Sequence, residues 1–310
     1  MSAAILNIPQ DAETYEVRCG QQTLTFTNLR KVFWPRLNKT KRDLLVYYAS
    51  VSDVLLPHLR DRGLVIKKYP DGIEGKLFAV KQIPAYYPEW LETCGVVRFP
   101  GSTIDFPMAQ DLASLLWMVN LGCVEFCPWA VRCDDTNRPD YVHFDLDPIP
   151  PAEFPQIQEA ALLINDFLLK KNVKAYAKTT GSRGIHIAVP IYRKPYQQEV
   201  WRAAKQAAKH MARKYPNLLT AESIIRKRLP GQVLINCSRN AGARVSTSVY
   251  SLRPNSKATV STPVSWKELE TGVKASEFTM DSVPPRIQRI GDLFRPLLRP
   301  GSRYPLEALL

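Results

Sequence analysis

The sequence has no long apolar stretch. No run approaches the roughly 18 uncharged apolar residues that a membrane-spanning helix requires, and the first residues, MSAAILNIPQDAETYE, lack a basic stretch followed by an apolar signal core. Internal repeats and low-complexity tracts are also absent. We therefore expect neither a secreted nor an integral membrane protein, and we expect a cytoplasmic location.

The six cysteines do not have the spacing of a disulfide-stabilised secreted domain. In a chain without a signal peptide we expect the thiols to remain reduced. Cys123, Cys127 and Cys133 are close enough in sequence to raise the alternative of a zinc site, but no second pair with tetrahedral ligand spacing follows them. Buried thiols are the favoured interpretation.

Acidic residues are few relative to basic ones. The chain has 29 Asp and Glu against 42 Lys and Arg, which leaves a net charge of +13 on 310 residues. This excess favours a polyanionic partner such as nucleic acid. With 45% apolar residues, a chain of this length can fill the core of one large domain or two small ones.

Residues 1–130 are predicted to form an N-terminal α/β module that is rich in lysine. Its clearest element is an amphipathic helix from Thr40 to Leu59, in which Leu44, Tyr48, Val51 and Leu55 recur at helical spacing. The segments KVFWP, GLVIKKYPDG and KLFAVKQ predict short strands and turns around this helix.

The second half of the chain predicts the order βαββαβ, which is the ferredoxin-like unit of the α/β (α+β) class. The alternation of DYVHFDLDP predicts a half-buried strand. The other predicted elements are a helix from Glu153 to Lys170, a strand from Val173 to Lys178, a strand from Gly184 to Pro190, a helix from Gln198 to Lys214 and a strand from Gln232 to Cys237.

The predicted sheet order, 4-1-3-2, places the first strand between the third and the fourth. Asp145 and Asp147 would then have His186 on one side and Asn236 on the other. The helices can cover only one face of this sheet, and the apolar residues of the strands should occupy that face. We therefore expect the polar residues to form an open platform that carries the functional site.

The two aspartates of this strand are candidate metal ligands. Side chains at positions i and i+2 lie on one face, with Cα atoms about 7 Å apart, and hard divalent cations prefer oxygen ligands. Two such ions can stabilise both the attacking and the leaving oxygen in a phosphoryl transfer. Asp-x-Asp alone is also consistent with a turn at the strand end before Pro148 or with a glycosyltransferase, but the charge of +13 suits a polynucleotide better.

The loop TTGSRG, followed by His186, is a candidate phosphate-binding segment. Its glycines permit close backbone approach, and its amides and hydroxyls can donate hydrogen bonds to phosphate oxygens. Arg183 adds a charged fork. The alternative is a polar hairpin with a structural histidine, and the adjacent Asp-x-Asp strand favours the functional interpretation.

The motifs HFDLDP, TTGSRGIH, VLINCSRN and YSLRP, together with KVFWP, TKRDLLVYY, YPDG and EFCPW upstream, resemble the polymerase domain of end-joining DNA ligase D. That family belongs to the archaeo-eukaryotic primase superfamily, and the resemblance runs from about Leu24 to Leu297. It implies one polymerase domain made of a DNA- and 5′-phosphate-binding module (1–130) and an RRM-like catalytic module (131–300), followed by a tail (301–310).

The resemblance also implies an activity and partners. Members fill gaps and extend ends in non-homologous end joining, prefer ribonucleotides over deoxyribonucleotides, and use two Mn²⁺ or Mg²⁺ ions. The implied partners are DNA ends with a 5′-phosphate, nucleoside triphosphates, Ku and a DNA ligase. A homodimer that pairs two DNA ends and an association with the nucleoid would be consistent with that role.

Residue roles follow from the same resemblance. Asp145 and Asp147 correspond to metal-binding aspartates, and Asn236 occupies the position of the third. The implied nucleotide-binding residues are Thr180, Ser182, Arg183, His186 and Arg253. The implied DNA-binding residues are Lys31 and Lys41 at the 5′-phosphate, Phe78 stacked on the template, and Lys68 and Lys81 at the backbone.

Two residues depart from the family pattern. Asn236 offers one neutral oxygen where the family has a carboxylate, so the ion at the primer 3′-hydroxyl should be held more weakly. Cys127 replaces a histidine in EFCPW. The alternatives are therefore a template-directed nucleotidyl transferase impaired by Asn236, a primase that starts strands without a primer, or a DNA-end-binding and bridging module with little catalysis. Whether Asn236 is natural or introduced is left open by the sequence.

Overall fold

The computed structural model describes residues 6–99, 101–242 and 244–310, so the first five residues of the predicted N-terminal module lie outside the described part. The chain divides into two compact units, each made of three chain segments. The first comprises Met1–Trp129, Thr247–Val260 and Thr279–Gly291, and the second comprises Ala130–Ser246, Ser261–Phe278 and Asp292–Leu310. The assignment of separate roles to residues 1–130, 131–300 and 301–310 stays a prediction.

The elements are numbered in chain order. The strands are β1 (Tyr15–Cys19), β2 (Gln22–Phe26), β3 (Val32–Trp34), β4 (Lys39–Thr40), β5 (Leu64–Lys68), β6 (Phe78–Val80), β7 (Thr93–Phe99), β8 (Ser102–Pro107), β9 (Cys123–Pro128), β10 (Val131–Arg132), β11 (Asp135–Pro139), β12 (Tyr141–Pro148), β13 (Tyr176–Thr179), β14 (Ile185–Pro190), β15 (Leu219–Thr220), β16 (Val233–Asn236) and β17 (Pro263–Val264). The α-helices are α1 (Lys41–Leu59), α2 (Leu112–Asn120), α3 (Phe154–Leu169), α4 (Gln197–Lys214), α5 (Trp266–Glu270) and α6 (Val283–Ile290).

The first unit contains β1–β9 with α1, α2 and α6. Its central helix α1 begins where predicted, because the Asp43 carboxylate accepts a hydrogen bond from the backbone N–H of Thr40 at 2.7 Å and so satisfies a free donor at the helix start. The predicted apolar stripe of α1 is buried. Strands β6, β5 and β9 form an antiparallel sheet in that order, which carries Lys68, Phe78 and Glu125.

The second unit is built on a six-stranded sheet with the order β15-β16-β12-β14-β13-β17. The four inner strands of this list have the predicted ferredoxin-like order, and the predicted α/β fold class is confirmed. Strand β15 runs parallel to β16, and the other pairings are antiparallel. The expected position of the Asp-x-Asp strand, between the third and fourth strands of the motif, is therefore correct.

Helices α3 and α4 pack on the apolar face of this sheet. The strand residues of that face are fully buried: Val142, Phe144, Leu146, Ile185, Ile187 and Val189. Each buried aliphatic or aromatic side chain removed from water contributes about 1.5–3 kcal/mol to folding. The apolar contacts therefore hold β12 and β14 firmly, and the residues between them in sequence point to the opposite face.

Two expectations need correction. The strand predicted from Val173 begins only at Tyr176, because Asn172 has a left-handed backbone (φ 58°) and the Val173 N–H bonds back to Leu168 at the end of α3. Cys94 and Cys133 take part in disulfide bonding, so the expectation of reduced thiols is wrong for them. Four other cysteines, Cys19, Cys123, Cys127 and Cys237, are buried free thiols as expected. No helix among the described residues is long and apolar enough to cross a membrane.

Candidate active site

Asp145 and Asp147 lie on β12, the strand at the centre of the second unit's sheet. Asp145 is directly opposite His186 on β14 and Asn236 on β16. The structure therefore places these residues side by side, as predicted. It follows from the strand order together with the period of two in each strand, which brings alternate residues to one face.

The Asp145 carboxylate is held by cationic or donor groups at both oxygens. Its Oδ1 is 3.1 Å from His186 Nε2, and its Oδ2 is 3.7 Å from Arg239 Nε. The other ring nitrogen of His186, Nδ1, is 3.3 Å from the Ser246 hydroxyl. His186 is therefore fixed from both sides, and its orientation beside Asp145 is set before any ligand arrives.

His143 lies next to this pair, on the same face of β12. Its ring centroid is 4.4 Å from that of His186. Burial, and then the neighbouring His186, hold the pKa of His143 well below its usual range. A neutral imidazole is therefore stable at this position.

The polar face is not the open platform that was expected. Asp145, His143 and His186 are 4%, 4% and 6% exposed, and only Asp147 and Asn236 are partly accessible. The segment after β16 contributes to this burial, because Arg239 lies against Asp145 and Ser246 lies against His186. In the same segment the Asn240 carboxamide continues the pairing along β12, where it accepts from the His143 N–H at 2.8 Å and donates to its carbonyl at 2.7 Å. The site is a lined recess rather than an exposed sheet face.

Asp147 and Asn236 are neighbours at the rim of this recess. The Asn236 amide nitrogen is 3.5 Å from Asp147 Oδ2, and the Asn236 oxygen accepts from the Ser238 N–H at 3.0 Å. Burial, and then the charge of Asp145, raise the pKa of Asp147. Asp147 therefore has a weak donor beside it and, among the described residues, no cation in direct contact.

The carboxylate pair fits a divalent cation. Two like charges that disfavour each other are stabilised by a positive ion between them, and both supply the oxygen ligands that Mg²⁺ and Mn²⁺ prefer. Within the part of the chain that the structure describes, no group of three or more His, Cys, Asp or Glu side chains is arranged to hold a metal ion. The oxygens of Asp145 and Asp147 would suit one such ion, and the Asn236 nitrogen lies 3.5 Å from Asp147 Oδ2.

The predicted phosphate-binding loop lies at the end of β12, between β13 and β14. Gly181 has φ 67°, and a Cβ on Gly184 would lie 2.6 Å from the Leu146 carbonyl oxygen, so both glycines are required. The Thr180 hydroxyl accepts from the backbone N–H groups of Ser182 and Gly184 at 3.2 and 3.1 Å. Thr180 therefore shapes the loop from inside.

Ser182 and Arg183, by contrast, are exposed at the surface of the loop. Both line a cavity of about 510 Å³ that also contains Lys274 and Ser276. The guanidinium of Arg183 and the ammonium of Lys274 form no ion pair with a described residue. Glu153 lines the same cavity, so this end of β12 presents two cations and two hydroxyl groups beside one carboxylate, and Arg183 and Lys274 are the groups that would suit an anionic ligand.

Arg253 belongs to the first unit. Its Nη1 donates to Glu125 Oε1 at 2.6 Å and also contacts the Thr247 hydroxyl. The same Glu125 oxygen accepts from Lys67 Nζ at 2.9 Å. Burial would raise the pKa of Glu125, but Arg253, Lys67 and the Thr247 hydroxyl outweigh it and lower that pKa. The predicted contact of Arg253 with a nucleotide stays a prediction.

Cys127 is next to this cluster on β9. Its thiol lies 3.4 Å from Glu125 Oε1, and burial raises its pKa to about 12. A thiol of that pKa stays protonated at neutral pH, which makes it a weak nucleophile and a poor metal ligand. Cys127 is a structural residue of the Glu125 cluster.

The two lysines predicted at a 5′-phosphate are joined through the backbone, where the Lys41 N–H donates to the Lys31 carbonyl at 2.9 Å. Lys31 Nζ pairs with Asp71 at 3.1 Å and is partly exposed. Lys41 is 5% exposed, and its Nζ donates to the Thr27 carbonyl at 2.6 Å. Burial, and then Lys31, lower the pKa of Lys41 to about 8, although Glu13 acts in the opposite direction.

The predicted stacking residue, Phe78, is 43% exposed and follows Leu77, which is 46% exposed. Phe78 pairs in register with Lys68 on β5, and Lys76 Nζ lies 5.3 Å from its ring centroid. Lys81 is exposed just after β6. An apolar ring bordered by lysines is the arrangement that single-stranded nucleic acid binds.

Comparisons with known proteins agree with the interpretation of this geometry. A sequence profile described as "LigD, primase-polymerase domain" matches residues 40–294. The chain belongs to the LigD primase-polymerase family. Among solved structures, the chain is similar to the "Polymerase Domain from Mycobacterium tuberculosis Ligase D in complex with DNA". The TM-score is 0.82 and the sequence identity is 27%, and the match covers 90% of this chain and 99% of that chain.

Full-length relatives of the family are longer. The "Bifunctional non-homologous end joining protein LigD" of Bacillus subtilis (strain 168) is 29% identical over 289 residues, 93% of this chain and 46% of that protein. The "Multifunctional non-homologous end joining protein LigD" of Pseudomonas aeruginosa is 30% identical over 277 residues, 88% of this chain and 32% of that protein. The chain thus spans less than half the length of these relatives.

Sequence reasoning missed several side chains that the structure places in contact with the predicted site residues. Arg239 follows Asn236 by three positions, and the basic residue in VLINCSRN was the available signal. Glu125 and Lys67 carried no local signal, because their partner Arg253 is 128 residues from Glu125. His143 was placed on the polar face of β12 without a role, and its lowered pKa comes from burial and then from His186 on the neighbouring strand β14.

Proposed function

We propose that this chain is a template-directed nucleotidyl transferase that fills gaps and extends ends during non-homologous end joining, with a preference for ribonucleotides. The observation that carries the proposal is the pair Asp145 and Asp147 on the central strand β12, flanked by His186 and by the loop TTGSRG. Carboxylates beside a phosphate-binding loop are the parts that phosphoryl transfer needs.

In the proposed reaction the 3′-hydroxyl of a primer attacks the α-phosphate of a nucleoside triphosphate, and pyrophosphate leaves. Asp145 and Asp147 would hold Mn²⁺ or Mg²⁺, which supplies Lewis-acid stabilisation of the charge on the phosphate. His186, whose two ring nitrogens contact Asp145 and Ser246, keeps the Asp145 carboxylate in position beside the triphosphate. Ser182 and Arg183 bind the triphosphate, and Thr180 keeps their loop in shape.

Asn236 limits this activity. Its oxygen is engaged with the Ser238 N–H and its nitrogen faces Asp147, so the hydroxyl-activating side of the site lacks a charged ligand. The ion held by the two aspartates is not affected by this change. The expected consequence is a polymerase that binds nucleotide and DNA but turns over slowly.

The DNA side of the proposal rests on the first unit. Lys31 and Lys41 would bind a 5′-phosphate, Phe78 would stack on a template base, and Lys68 and Lys81 would contact the backbone. Two of the similar proteins carry non-homologous end joining in their names, and the M. tuberculosis polymerase domain was solved with DNA. Ku, a DNA ligase and a second copy of the chain across the break are the proposed protein partners.

The test is extension of a gapped, 5′-phosphorylated DNA by ribonucleotides with Mn²⁺. Asn236→Asp restores a carboxylate at the third position and should raise the extension rate by about 10- to 100-fold, the usual scale for a group that tunes a metal site. Asn217→Asp, at an exposed position, makes the same chemical change elsewhere and should leave the rate unchanged. Equal rates for the parent and Asn236→Asp would refute the assignment of Asn236.

A second candidate is a DNA-end-binding and bridging module without effective catalysis. The amide nitrogen of Asn236 beside Asp147 favours it. It predicts binding that depends on the 5′-phosphate and on salt, with no extension by either chain even at high Mn²⁺. Binding that ignores the 5′-phosphate would count against this candidate, and strand synthesis without a primer would instead identify a primase.

A further inference from the structure

The cavity of about 510 Å³ at the end of β12 has walls that the proposed reaction does not use. That reaction uses only the wall that carries Ser182 and Arg183. The other walls belong to the end of β12, the start of α3 and the segment 274–276. The volume lies within the range of pockets that bury a small organic ligand, roughly 300–1,000 Å³. It is more than the terminal phosphate of a nucleotide fills.

Part of the cavity surface is apolar and carries one aromatic ring. This part is formed by Pro148, Pro150, Ala152, Phe154 and Ala275. Phe154 is the first residue of α3 and is partly accessible, so a ligand can cover its ring further. An accessible aromatic ring is a surface on which a nucleobase stacks.

The polar groups of the cavity match the remaining parts of a nucleotide. Arg183 and Lys274 are exposed cations, and such cations bind phosphate oxygens. Ser182 and Ser276 add hydroxyl donors. The carboxylate of Glu153, which also lines the cavity, would repel a phosphate but can accept hydrogen bonds from ribose hydroxyls, as acidic residues do in dinucleotide-binding folds.

Contacts within the second unit hold these walls together. The Glu153 N–H donates to Gln156 Oε1 at 2.9 Å at the start of α3. Further along α3, the Gln158 side chain donates to the Val273 carbonyl at 2.9 Å, which joins the helix to the segment that carries Lys274. The cavity is therefore formed before a ligand arrives, and a preformed site loses less entropy on binding.

The position of the cavity indicates how a nucleoside in it would be connected. Arg183, which the proposed function assigns to the triphosphate, also lines the cavity, and Pro148 of the cavity directly follows Asp147. The terminal phosphate of a bound nucleotide would therefore point toward Lys274. We propose that the cavity binds a second nucleoside joined to that end through one more phosphate, so that dinucleoside tetraphosphates are substrates beside simple triphosphates. This inference rests on the proposed polymerase function.

The cavity residues divide the second nucleotide among them. Phe154 stacks on its base, Glu153 accepts from its ribose hydroxyls, and Lys274 binds the outermost phosphate. The primer 3′-oxygen forms a bond to the α-phosphorus, the bond from that phosphorus to the bridging oxygen breaks, and the hydroxyl proton passes to solvent. The leaving group is a nucleoside triphosphate, where a simple substrate releases pyrophosphate.

Binding without turnover tests the cavity first. With Mn²⁺ present, calorimetry compares ATP, adenosine tetraphosphate and diadenosine tetraphosphate, of which only the last carries a second nucleoside. We expect diadenosine tetraphosphate to bind more tightly than adenosine tetraphosphate by about 5- to 100-fold, the effect of stacking one base on an aromatic ring. Phe154→Ala should remove this difference and leave ATP affinity unchanged. Phe154→Tyr keeps the ring and should retain the difference.

Lys274 has a matched control in the same part of the chain. Lys274→Ala should weaken binding of both tetraphosphates by about two- to fivefold, the scale of an exposed ion pair, and ATP, which ends one phosphate earlier, should be affected less. Lys267→Ala, at an exposed position outside the cavity, should change neither. Both lysines are exposed, so these variants remain informative even if Phe154→Ala folds poorly.

Turnover completes the test. On gapped, 5′-phosphorylated DNA, diadenosine tetraphosphate should extend the primer in the parent and in Asn236→Asp, and the ATP that it releases is measured with luciferase. Three results would overturn the inference: equal affinity for the two tetraphosphates, an unchanged difference in Phe154→Ala, or extension with ATP but none with diadenosine tetraphosphate. Failure of the polymerase proposal looks different, because neither nucleotide would then extend the primer although diadenosine tetraphosphate would still bind through Phe154.

Discussion

Two carboxylate sites, one in each unit, differ in how their charge is balanced. Glu125 in the first unit is 1% exposed and has Lys67, Arg253 and the Thr247 hydroxyl on one oxygen. These partners lower its pKa despite burial. Asp147 in the second unit has the carboxylate of Asp145 nearby and the amide nitrogen of Asn236 at 3.5 Å, and its pKa is raised.

The difference separates a structural charge from a binding charge. A buried carboxylate whose cations are built into the fold is already stabilised and has no need of a ligand. A carboxylate pair with an incomplete set of partners gains free energy when a cation arrives. The charge balance at Glu125 therefore positions Arg253, whereas the imbalance at Asp145 and Asp147 is available for function.

The largest expected effect is on the balanced site. Glu125→Ala leaves Lys67 and Arg253 without their common partner, and breaking a buried ion pair on one side costs about 3–5 kcal/mol. We expect that loss in the free energy of unfolding, measured in urea at pH 7. Glu270→Ala, at an exposed position, serves as the control and should change it by less than about 0.5 kcal/mol.

A cost below about 1 kcal/mol for Glu125→Ala would break the comparison, because Glu125 would then be no better balanced than Asp147. Glu125→Gln keeps the shape and removes only the charge. A loss of similar size in that variant would assign the effect to the ion pairs, and a much smaller one would assign it to packing.

The next effect concerns a cation at the unbalanced site. If Asp145 and Asp147 hold Mn²⁺ only in the folded state, free Mn²⁺ at about 100 times its dissociation constant should raise the free energy of unfolding by about 2.7 kcal/mol. Asp147→Asn should abolish this stabilisation, whereas Asp166→Asn on the exposed side of α3 should retain it. Titration of Mn²⁺ during thermal unfolding measures the shift, and an identical Mn²⁺ response in Asp147→Asn would place the ion elsewhere.

Much of the second unit could be predicted, because local patterns there are strong. The order βαββαβ predicted the order of the strands in the sheet. Together with the strict alternation around Asp145, it also predicted that Asp145 lies beside His186 and Asn236. Those inferences need only the period of two and the ferredoxin-like connections. The apolar face was correct for the same reason.

Features that depend on long-range contacts could not be predicted. Arg239 and Ser246, which contact Asp145 and His186, come from the segment after β16, which has no regular period. The direction of the Asn236 amide depends on the Ser238 N–H, which is a local turn that the residue types alone do not specify. The Glu125 cluster joins residues from three distant parts of the chain, so no window of sequence contains it.

The buried charge of Lys41 tests this comparison further. It shows whether a binding site is marked by a charge that lacks an ion-pair partner, or by the unit in which the charge lies. Lys41 lies in the first unit with Glu125, yet it forms no ion pair with a described residue, and burial and then Lys31 lower its pKa to about 8. Glu13 offsets this only in part. By the argument above, Lys41 should behave like the aspartate pair and take an external counterion, which the proposed function identifies as a 5′-phosphate.

This assignment predicts the pH dependence of binding. Phosphate attracts only the protonated lysine, so affinity for 5′-phosphorylated gapped DNA should be constant well below pH 8 and fall as pH rises through 8, by about tenfold between pH 7 and 9 because the protonated fraction falls by that factor. DNA without the 5′-phosphate should bind with little change over this range. Lys41→Arg stays charged at these pH values and should give a flat profile. A decline of the same size in Lys41→Arg would assign the titration to another group and return Lys41 to the class of purely structural charges.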